Sequence, residues 1–197
     1  MPRLVDHVER RAEIVRATWR IIAAQGIEAT TMRELAHQLG LANGSVTHYF
    51  PNKKAILAAA FQHVFDATNA RYAAVAADRD LHGLVALRAF LLETLPIDEE
   101  RLLEARIVIP FLEYAAIEDD LAALFRSMMQ QWQDRFTELL EDARERGELA
   151  ADTDVRGAGD ALLHAVTGVQ AIGVLLPETA RAERMLGMLD ALLRMLR

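Results

Sequence analysis

Apolar residues recur at every third or fourth position along almost the whole chain, and no sustained apolar–polar alternation interrupts them. This spacing matches the 3.6-residue turn of an α-helix, whereas a half-buried strand needs a period of two. The pattern therefore predicts an all-α fold of about nine helices. With 52% hydrophobic residues in 197 positions, the chain has enough apolar material for a packed core.

Glycines and capping residues mark the ends of the predicted helices in the first fifty positions. Gly26 ends a first amphipathic helix, and Gly40 ends a second. Thr31 and Glu34 have the spacing of a capping box, in which each side chain accepts from the other residue's backbone N–H. Residues 43–50 are predicted to form a very short third helix. The remaining helices are predicted at about 52–75, 81–94, 98–117, 119–146, 153–175 and 179–196.

Charge divides the chain into two parts. Residues 1–54 carry eight Arg or Lys and five Asp or Glu, a net charge of +3. The remaining residues carry 14 Arg or Lys and 24 Asp or Glu, a net charge of −10. A basic head can approach phosphates while an acidic body keeps the protein in solution, although chance clustering gives the same split. Because the balance changes near Pro51, two domains are predicted, at residues 1–51 and 52–197.

The chain lacks the residues that most enzyme and metal sites need. It has no cysteine, which excludes disulfides, thiol nucleophiles and Cys-ligated zinc. Its two serines, Ser45 and Ser127, do not lie in a G-x-S-x-G motif, and neither a metalloprotease nor a phosphate-loop motif is present. We expect no catalytic activity, no metal and no cofactor.

No segment is predicted to cross a membrane. The residues up to Arg11 are charged and lack the apolar run of a signal peptide. The longest late stretch without charge, residues 161–177, has 17 residues, whereas a membrane span needs ~20 mostly apolar residues. This stretch predicts a buried helix instead, and the absence of cysteine fits a cytoplasmic protein.

Residues 31–50 have the composition of two short helices that meet at a sharp turn. Gly40 permits a positive φ in the turn, and the space between the helices is filled by Leu35, Leu39, Leu41 and Val46. The opposite face carries small and polar groups suited to the major groove: Asn43, Gly44, Ser45, Thr47, His48 and Tyr49. Lys53 and Lys54 follow within reach of backbone phosphates. The alternative is a helical hairpin with no role in DNA binding.

Residues 12–57 together resemble the TetR family of transcriptional regulators. The matching motifs are residues 30–36, 39–41, 44–46 and 48–53, after an amphipathic helix that ends at Gly26. The resemblance implies an all-α fold with a three-helix, helix-turn-helix head that binds DNA. It also implies a helical-bundle body for ligand binding and dimerisation, in a homodimer that usually represses transcription until a small molecule binds.

The resemblance assigns roles to individual residues of the head. The positions that contact phosphates in the family are occupied by Thr31, Asn43, Ser45, Tyr49 and Lys53. The positions that face the bases are occupied by Gly44, Thr47 and His48, and Arg33 could serve either role. Many relatives carry tyrosine in place of Thr47, whose shorter side chain moves base reading toward His48 and DNA shape.

Two shorter motifs resemble the betaine-pathway, or BetI-like, repressors of this family. They are Val-Thr-His-Tyr-Phe at residues 46–50 and Leu-Pro-Ile-Asp-Glu-Glu-Arg at residues 95–101. Relatives of this type often carry tryptophans where Ala105 and Val108 stand. Because a quaternary ammonium ligand needs an aromatic cage, the chemistry of the ligand stays open.

Aromatic and methionine residues share helix faces in the body and predict a ligand pocket. The predicted lining residues are Phe111, Tyr114, Met128, Trp132 and Phe136. The alternative is that they only pack the core. Glu104 and Arg106 could orient a charged ligand or form a solvated pair.

Small and apolar residues in the last two predicted helices indicate a surface for a second copy of the chain. The predicted interface residues are Val169, Ile172, Leu186, Leu189 and Leu193. The alternative is that this apolar stripe packs within the same chain.

Together these patterns predict a ligand-responsive homodimeric regulator, a repressor by family habit. Its predicted partners are a near-palindromic double-stranded DNA operator, an unidentified small-molecule effector that releases it, and a second copy. Two alternatives stay open: a DNA-binding regulator controlled by a protein partner, and a helical adaptor that does not bind DNA.

Overall fold

The computed structural model describes residues 2–42 and 44–197, with side chains from residue 7 onward. These residues form eight α-helices and three 3₁₀ helices, with no β-strand among them. The α-helices are α1 (Pro2–Gln25), α2 (Met32–Gln38), α3 (Lys53–Arg79), α4 (Gly83–Thr94), α5 (Glu99–Ala115), α6 (Asp119–Glu145), α7 (Val155–Leu175) and α8 (Ala182–Met195). The 3₁₀ helices are Ile27–Ala29, Ser45–His48 and Pro177–Thr179. The prediction of an all-α fold is confirmed.

The predicted count of about nine α-helices is too high by one, and the difference lies at residues 43–50. The described part of that stretch is a 3₁₀ helix of four residues, Ser45–His48, rather than an α-helix. Gly44 precedes it in the left-handed conformation, with φ 91°. The Thr47 hydroxyl donates to the Gly44 carbonyl. This local bond competes with the backbone pairing that a longer helix would need.

Thr31 begins α2 as predicted, but only half of the capping box forms. The Thr31 hydroxyl accepts from the Glu34 N–H at 3.1 Å. The Thr31 N–H is already bonded to the Ala29 carbonyl at 2.9 Å. The Glu34 carboxylate instead accepts from Gln38, because its expected backbone partner is occupied.

In the head, α1, α2 and the 3₁₀ helix Ser45–His48 pack together and against the start of α3. Its buried centre contains Ile14, Ala17, Ile21, Leu35, Val46, Phe50 and Ile56. In the body, α4 lies against α3 and α6, while α7 lies against α5 and α6. Helix α3 contributes to both parts, so one continuous helix joins the head to the body.

Aromatic rings fill much of the body's core. Phe61 of α3 stacks on Phe111 of α5 with ring centroids 3.8 Å apart and planes within 4°. Phe90 of α4 meets Trp132 and Phe136 of α6 edge to face, at 5.7 and 5.3 Å. These contacts join α3 to α5 and α4 to α6.

The N-terminus of α4 is capped by side chains from distant parts of the chain. The N–H of Gly83 donates to Asp142 at 2.6 Å, and the N–H of Leu84 donates to Glu148 at 2.7 Å. Gly83 has φ 53°, and a Cβ built on it would lie 2.6 Å from a Glu148 carboxylate oxygen. Position 83 therefore combines a left-handed backbone, which favours glycine, with a close approach at which an added Cβ would displace the Glu148 carboxylate.

Replacing Gly83 by alanine should lower the free energy of unfolding by about 2 kcal/mol, from backbone strain and displacement of the Glu148 cap. Urea denaturation measures this loss. Gly147→Ala is the matched control, because Gly147 has φ 73° but open space around its Cβ position. Its loss should be about 1 kcal/mol, from backbone strain alone. Equal losses at the two positions would contradict a role for the Glu148 contact.

Helix α7 is the one helix in the described part of the chain with the length and apolar composition of a membrane span. In its apolar window 28% of residues are buried within the chain. Ile172 is 47% exposed and Leu175 is 68% exposed. The helix therefore presents an apolar face that its own chain does not cover, so the expectation of a buried helix holds within this chain for only part of its surface.

Candidate DNA-binding head and effector cavity

The 3₁₀ helix Ser45–His48, which we call the recognition segment, is anchored by one buried side chain. Val46 is fully buried, whereas Thr47 and His48 are exposed on the other side. The exposed side chains therefore form a small protruding edge, suited in size to a DNA groove. The Thr47 hydroxyl donates to the Gly44 carbonyl, so it offers a groove its oxygen as an acceptor. Among the predicted base-facing side chains, His48 projects without such a backbone bond.

The predicted phosphate-contacting residues lie around this edge. Thr31 and Arg33 are exposed, and Ser45 and Tyr49 are half-buried. Asn43, also predicted here, lies outside the described residues. The Lys53 Nζ is 3.9 Å from Glu28 in the head.

Lys54 faces away from the recognition segment. Its Nζ donates to Glu118 at 2.9 Å and to Asp120 at 3.1 Å, both at the junction of α5 and α6. The hydrogen bonds with Glu118 and Asp120 raise the pKa of Lys54. The expectation that Lys54 contacts phosphate therefore does not match its placement, because acidic groups of the body hold its ammonium.

Arg11, to which the sequence assigned no role, holds the end of the recognition segment. Its guanidinium donates to the Tyr49 carbonyl and lies 4.1 Å from the centroid of the Phe50 ring. The Tyr49 ring also contacts His7, at 4.7 Å between centroids. A contact across 38 residues leaves no spacing signal in the sequence, so only the folded structure could find it.

A small cavity in the body is lined by four aromatic rings. Its lining residues are Phe61, Val64, Phe65, Val108, Phe125, Met129, Trp132, Thr167 and Gln170. They come from α3, α5, α6 and α7. Phe65 stacks on Trp132 at 5.4 Å, and the Trp132 Nε1 donates to Asn69 at 3.2 Å. We call this space the aromatic cavity.

Of the five predicted pocket residues, Trp132 lines the aromatic cavity. Phe111, Met128 and Phe136 are buried in the surrounding core, and Tyr114 is half-buried. Phe61, Phe65 and Phe125 also line the cavity. Their aromatic helix faces indicated a pocket in this part of the body, but they were not among the five residues assigned to it. Periodicity identifies the inward face of a helix, but it does not separate a cavity wall from close-packed core.

The aromatic cavity has a volume of about 20 Å³. One water molecule needs about 10–15 Å³ by the same measure. The cavity therefore has room for one or two water molecules, and an organic ligand fits only if the surrounding helices separate.

Two sequence profiles cover the head and most of the body. Residues 14–60 match the profile of bacterial regulatory proteins of the tetR family, and residues 85–197 match that of the C-terminal part of BetI-type transcriptional repressors. The chain belongs to the TetR family. The resemblance to this family and to its BetI-like members is confirmed, and the prediction that the chain is not an enzyme agrees with these matches.

Curated TetR-type relatives match part of the chain. It is 35% identical to the HTH-type transcriptional regulator PksA of Bacillus subtilis over an alignment of 121 residues. The alignment covers 61% of this chain and 58% of PksA. It is 37% identical over 81 residues to the HTH-type transcriptional regulator BetI of Burkholderia thailandensis, covering 40% of this chain and 42% of BetI. The alignments thus span less than two thirds of these relatives.

Solved TetR-type structures match nearly the whole chain. A transcriptional regulator from Rhodococcus sp. Rha1 has a TM-score of 0.82 at 25% identity and covers 94% of this chain and 95% of its own. A regulator from Saccharomonospora viridis in complex with choline has a TM-score of 0.85 at 18% identity. The match covers 95% of this chain and 96% of the other chain. The second likeness establishes the fold alone.

The TetR body contains a buried ion network beside the aromatic cavity. Arg71 of α3 forms two hydrogen bonds of 2.8 Å to Glu104 of α5 and one of 3.0 Å to Glu93 of α4. Arg101 also contacts Glu93. Burial raises the pKa of Glu104, and Arg71 opposes that rise. The network fixes α3, α4 and α5 relative to one another.

Of the two alternatives for Glu104 and Arg106, the solvated pair does not form. Glu104 is buried and bonded to Arg71, whereas Arg106 is exposed and donates to the Ala23 carbonyl in α1 at 3.3 Å. Residues 104 and 106 are two apart in a helix, so they point to different sides.

The residues predicted for the dimer interface divide into two groups. Leu189 and Leu193 are buried within the chain, on the helix α8 that packs against α4. Val169 and Leu186 are half-buried, and Ile172 is exposed. Only the second group offers substantial surface to another molecule.

Proposed function

We propose that this protein is a homodimeric transcriptional regulator, most simply a repressor, of the cytoplasm. It binds a near-palindromic operator through two heads and leaves the DNA when a small molecule enters the aromatic cavity. The observation that carries the proposal is the recognition segment, which buries Val46 and exposes Thr47 and His48. The membership of the chain in the TetR family supports the same conclusion.

In this proposal the recognition segment enters the major groove and His48 reads base edges. Thr31, Ser45, Tyr49 and Lys53 then lie around the segment as phosphate contacts, which fix its register on the duplex. Arg11 supports this arrangement from behind, because it holds the Tyr49 carbonyl. Asn43 stays a predicted phosphate contact, and Arg33 a contact of either kind.

A second copy covers the exposed apolar face of α7 and α8. This face includes a groove of about 510 Å³ lined by Val169, Ile172, Met188 and Leu192, among others. A contiguous apolar surface of this kind marks an interaction site in a protein that is not in a membrane. Two-fold pairing of this face would bury the same residues of both copies against one another.

The effector enters the aromatic cavity and wedges its walls apart. Because the cavity holds only about 20 Å³, binding and displacement of α3, α5 or α6 are one event. A ligand can shift the DNA-binding equilibrium only by its difference in affinity for the two arrangements, typically ~1–3 kcal/mol.

Selection of the purified protein against a random duplex pool near physiological salt tests the DNA-binding part. We expect one inverted repeat to be enriched, with half-sites about 34–36 Å apart between centres. A folded dimer that enriches no sequence would contradict the proposal and favour the adaptor. An operator complex that no small molecule dissociates would favour control by a protein partner.

Choline is expected to change the fluorescence of Trp132, since aromatic ring faces attract quaternary ammonium ions. The Trp19→Phe variant leaves Trp132 as the one tryptophan of the chain. This change costs little, because the buried Trp19 Nε1 has no hydrogen-bond partner to lose. Titration with choline should give a saturable signal and release the operator.

The uncharged analogue 3,3-dimethyl-1-butanol is the matched control for charge. It should bind about three- to tenfold more weakly than choline, as expected for the loss of cation–π attraction. Equal binding of the two would contradict ammonium recognition and indicate an apolar ligand. A Trp132 signal that leaves the operator bound would contradict the cavity as the effector site.

A further inference from the structure

Two sets of hydrogen bonds join the head and the start of α3 to the body, one at α5 and the other at the start of α6. Arg106 of α5 donates to the Ala23 carbonyl at 3.3 Å. Ala23 lies in the last turn of α1, where carbonyl groups have no partner within the helix. Lys54, in the first turn of α3, donates to Glu118 and Asp120 at 2.9 and 3.1 Å.

These contacts flank the wall of the aromatic cavity. Val108, which lines the cavity, lies two residues after Arg106 in α5. Phe125, which also lines it, lies five residues after Asp120 in α6. A ligand that separates the walls at these points displaces the same helix segments that hold the head.

Lys53 and Lys54 face different partners because successive residues of a helix differ by about 100° around its axis. Lys53 lies on the head side, 3.9 Å from Glu28. Lys54 lies on the body side, where both of its carboxylate partners belong to the α5–α6 junction. The two lysines can therefore serve different purposes, one at the DNA and one between the domains.

We propose that Lys54 and Arg106 are positioning residues that hold each head at a fixed angle to the body, and so set the distance between the two recognition segments. The inference rests on the proposed function, since spacing matters only in a dimer that reads two half-sites. Neither residue needs to touch DNA or effector.

The test compares binding to two duplexes that carry the selected operator, one unchanged and one with a base pair inserted between its half-sites. The insertion moves one half-site by about 3.4 Å and turns it by about a tenth of a turn. The wild-type protein should discriminate against it. In Lys54→Met and in Glu118→Gln/Asp120→Asn, this discrimination should fall by about three- to tenfold, because each head loses an exposed ion pair of modest strength.

Arg106→Met should have the same effect on the ratio of the affinities for the unchanged and the lengthened operator. Lys54→Arg should retain the wild-type ratio. Glu138→Gln is the matched control, because it breaks the 3.1 Å pair of Arg135 and Glu138 within α6, with no contact to the head. Thermal denaturation of each variant verifies the fold. The ratio of the two affinities responds to head spacing, whereas a general loss of stability does not alter it.

Three results would separate the possible outcomes. If the wild-type protein selects no inverted repeat, the proposed function fails first. If it selects one and all variants keep the wild-type ratio, the positioning role is overturned. If Lys54→Met weakens binding to every duplex and lowers the salt dependence while Glu118→Gln/Asp120→Asn does neither, Lys54 is a phosphate contact, which also overturns it.

Discussion

The Arg71→Met variant should lose about 3 kcal/mol of unfolding free energy, because it leaves a buried carboxylate without its cation. Glu104 is 3% exposed, and Arg71 supplies both of its charge-assisted hydrogen bonds. Glu93 keeps Arg101 as a partner, so the loss concentrates on Glu104. The Arg71 side chain is 24% exposed, which places the expected loss at the lower end for buried pairs.

The double variant Arg71→Met/Glu104→Met separates the penalty of an unpaired charge from the worth of the pair. It removes both charges, so it should recover most of the stability that Arg71→Met loses. Arg88→Met serves as the control, since it breaks the exposed Arg88–Asp190 pair of 2.8 Å and should change stability little. A double variant no more stable than Arg71→Met would contradict the assignment of the loss to Glu104.

The loss in Arg71→Met should shrink as the pH falls. In the folded protein burial already raises the pKa of Glu104 above its ordinary value of 4.5, and removal of Arg71 raises that pKa further. The folded state then binds a proton more tightly than the unfolded state, so stability is lost as pH rises through the folded pKa. Urea denaturation between pH 4 and pH 7 measures the trend, and a loss independent of pH would contradict it.

The His48→Ala variant should weaken operator binding far more than it weakens binding to random DNA. A base contact is worth about 1–3 kcal/mol, and a dimer loses one in each head. Two such contacts cost at least about 2 kcal/mol, so the expected loss on the operator is about 30-fold or more, with little change on random duplex of equal length. Fluorescence anisotropy with both duplexes, at fixed salt, measures the two losses.

Lys53→Ala is the matched variant for a phosphate contact. It should weaken binding to operator and to random duplex alike, and reduce the slope of log affinity against log salt by about one per phosphate contact. Equal effects of the two variants on the operator preference would contradict the division of the head into base-reading and phosphate-binding residues.

Local features of the fold could be predicted because their causes are local. The Thr31 cap depends on a residue three positions away, and the positive φ of Gly40 lies where the turn was expected. The apolar period predicts which face of each helix is buried. That prediction does not require knowledge of what the face packs against.

Contacts between distant residues could not be predicted in the same way. The bonds of Arg71 to Glu104 join residues 33 apart, and those of Lys54 to Glu118 join residues 64 apart. An amphipathic stripe on α8 indicated a buried face, but not that Leu189 and Leu193 are buried within their own chain. Likewise, aromatic spacing indicated an inward face without separating the cavity residue Trp132 from the core residue Phe111.

Methylation interference on the selected operator tests the central claim most directly, because it identifies the groove that the heads read. Guanine N7 lies in the major groove. The account predicts that N7 methylation blocks binding in two clusters, one per half-site, with centres about 10–10.5 base pairs apart or a multiple of that distance. The His48→Ala variant should lose sensitivity at one position of each cluster. Interference confined to a single cluster, or absent while backbone ethylation blocks binding, would contradict a dimer that reads DNA through its recognition segments.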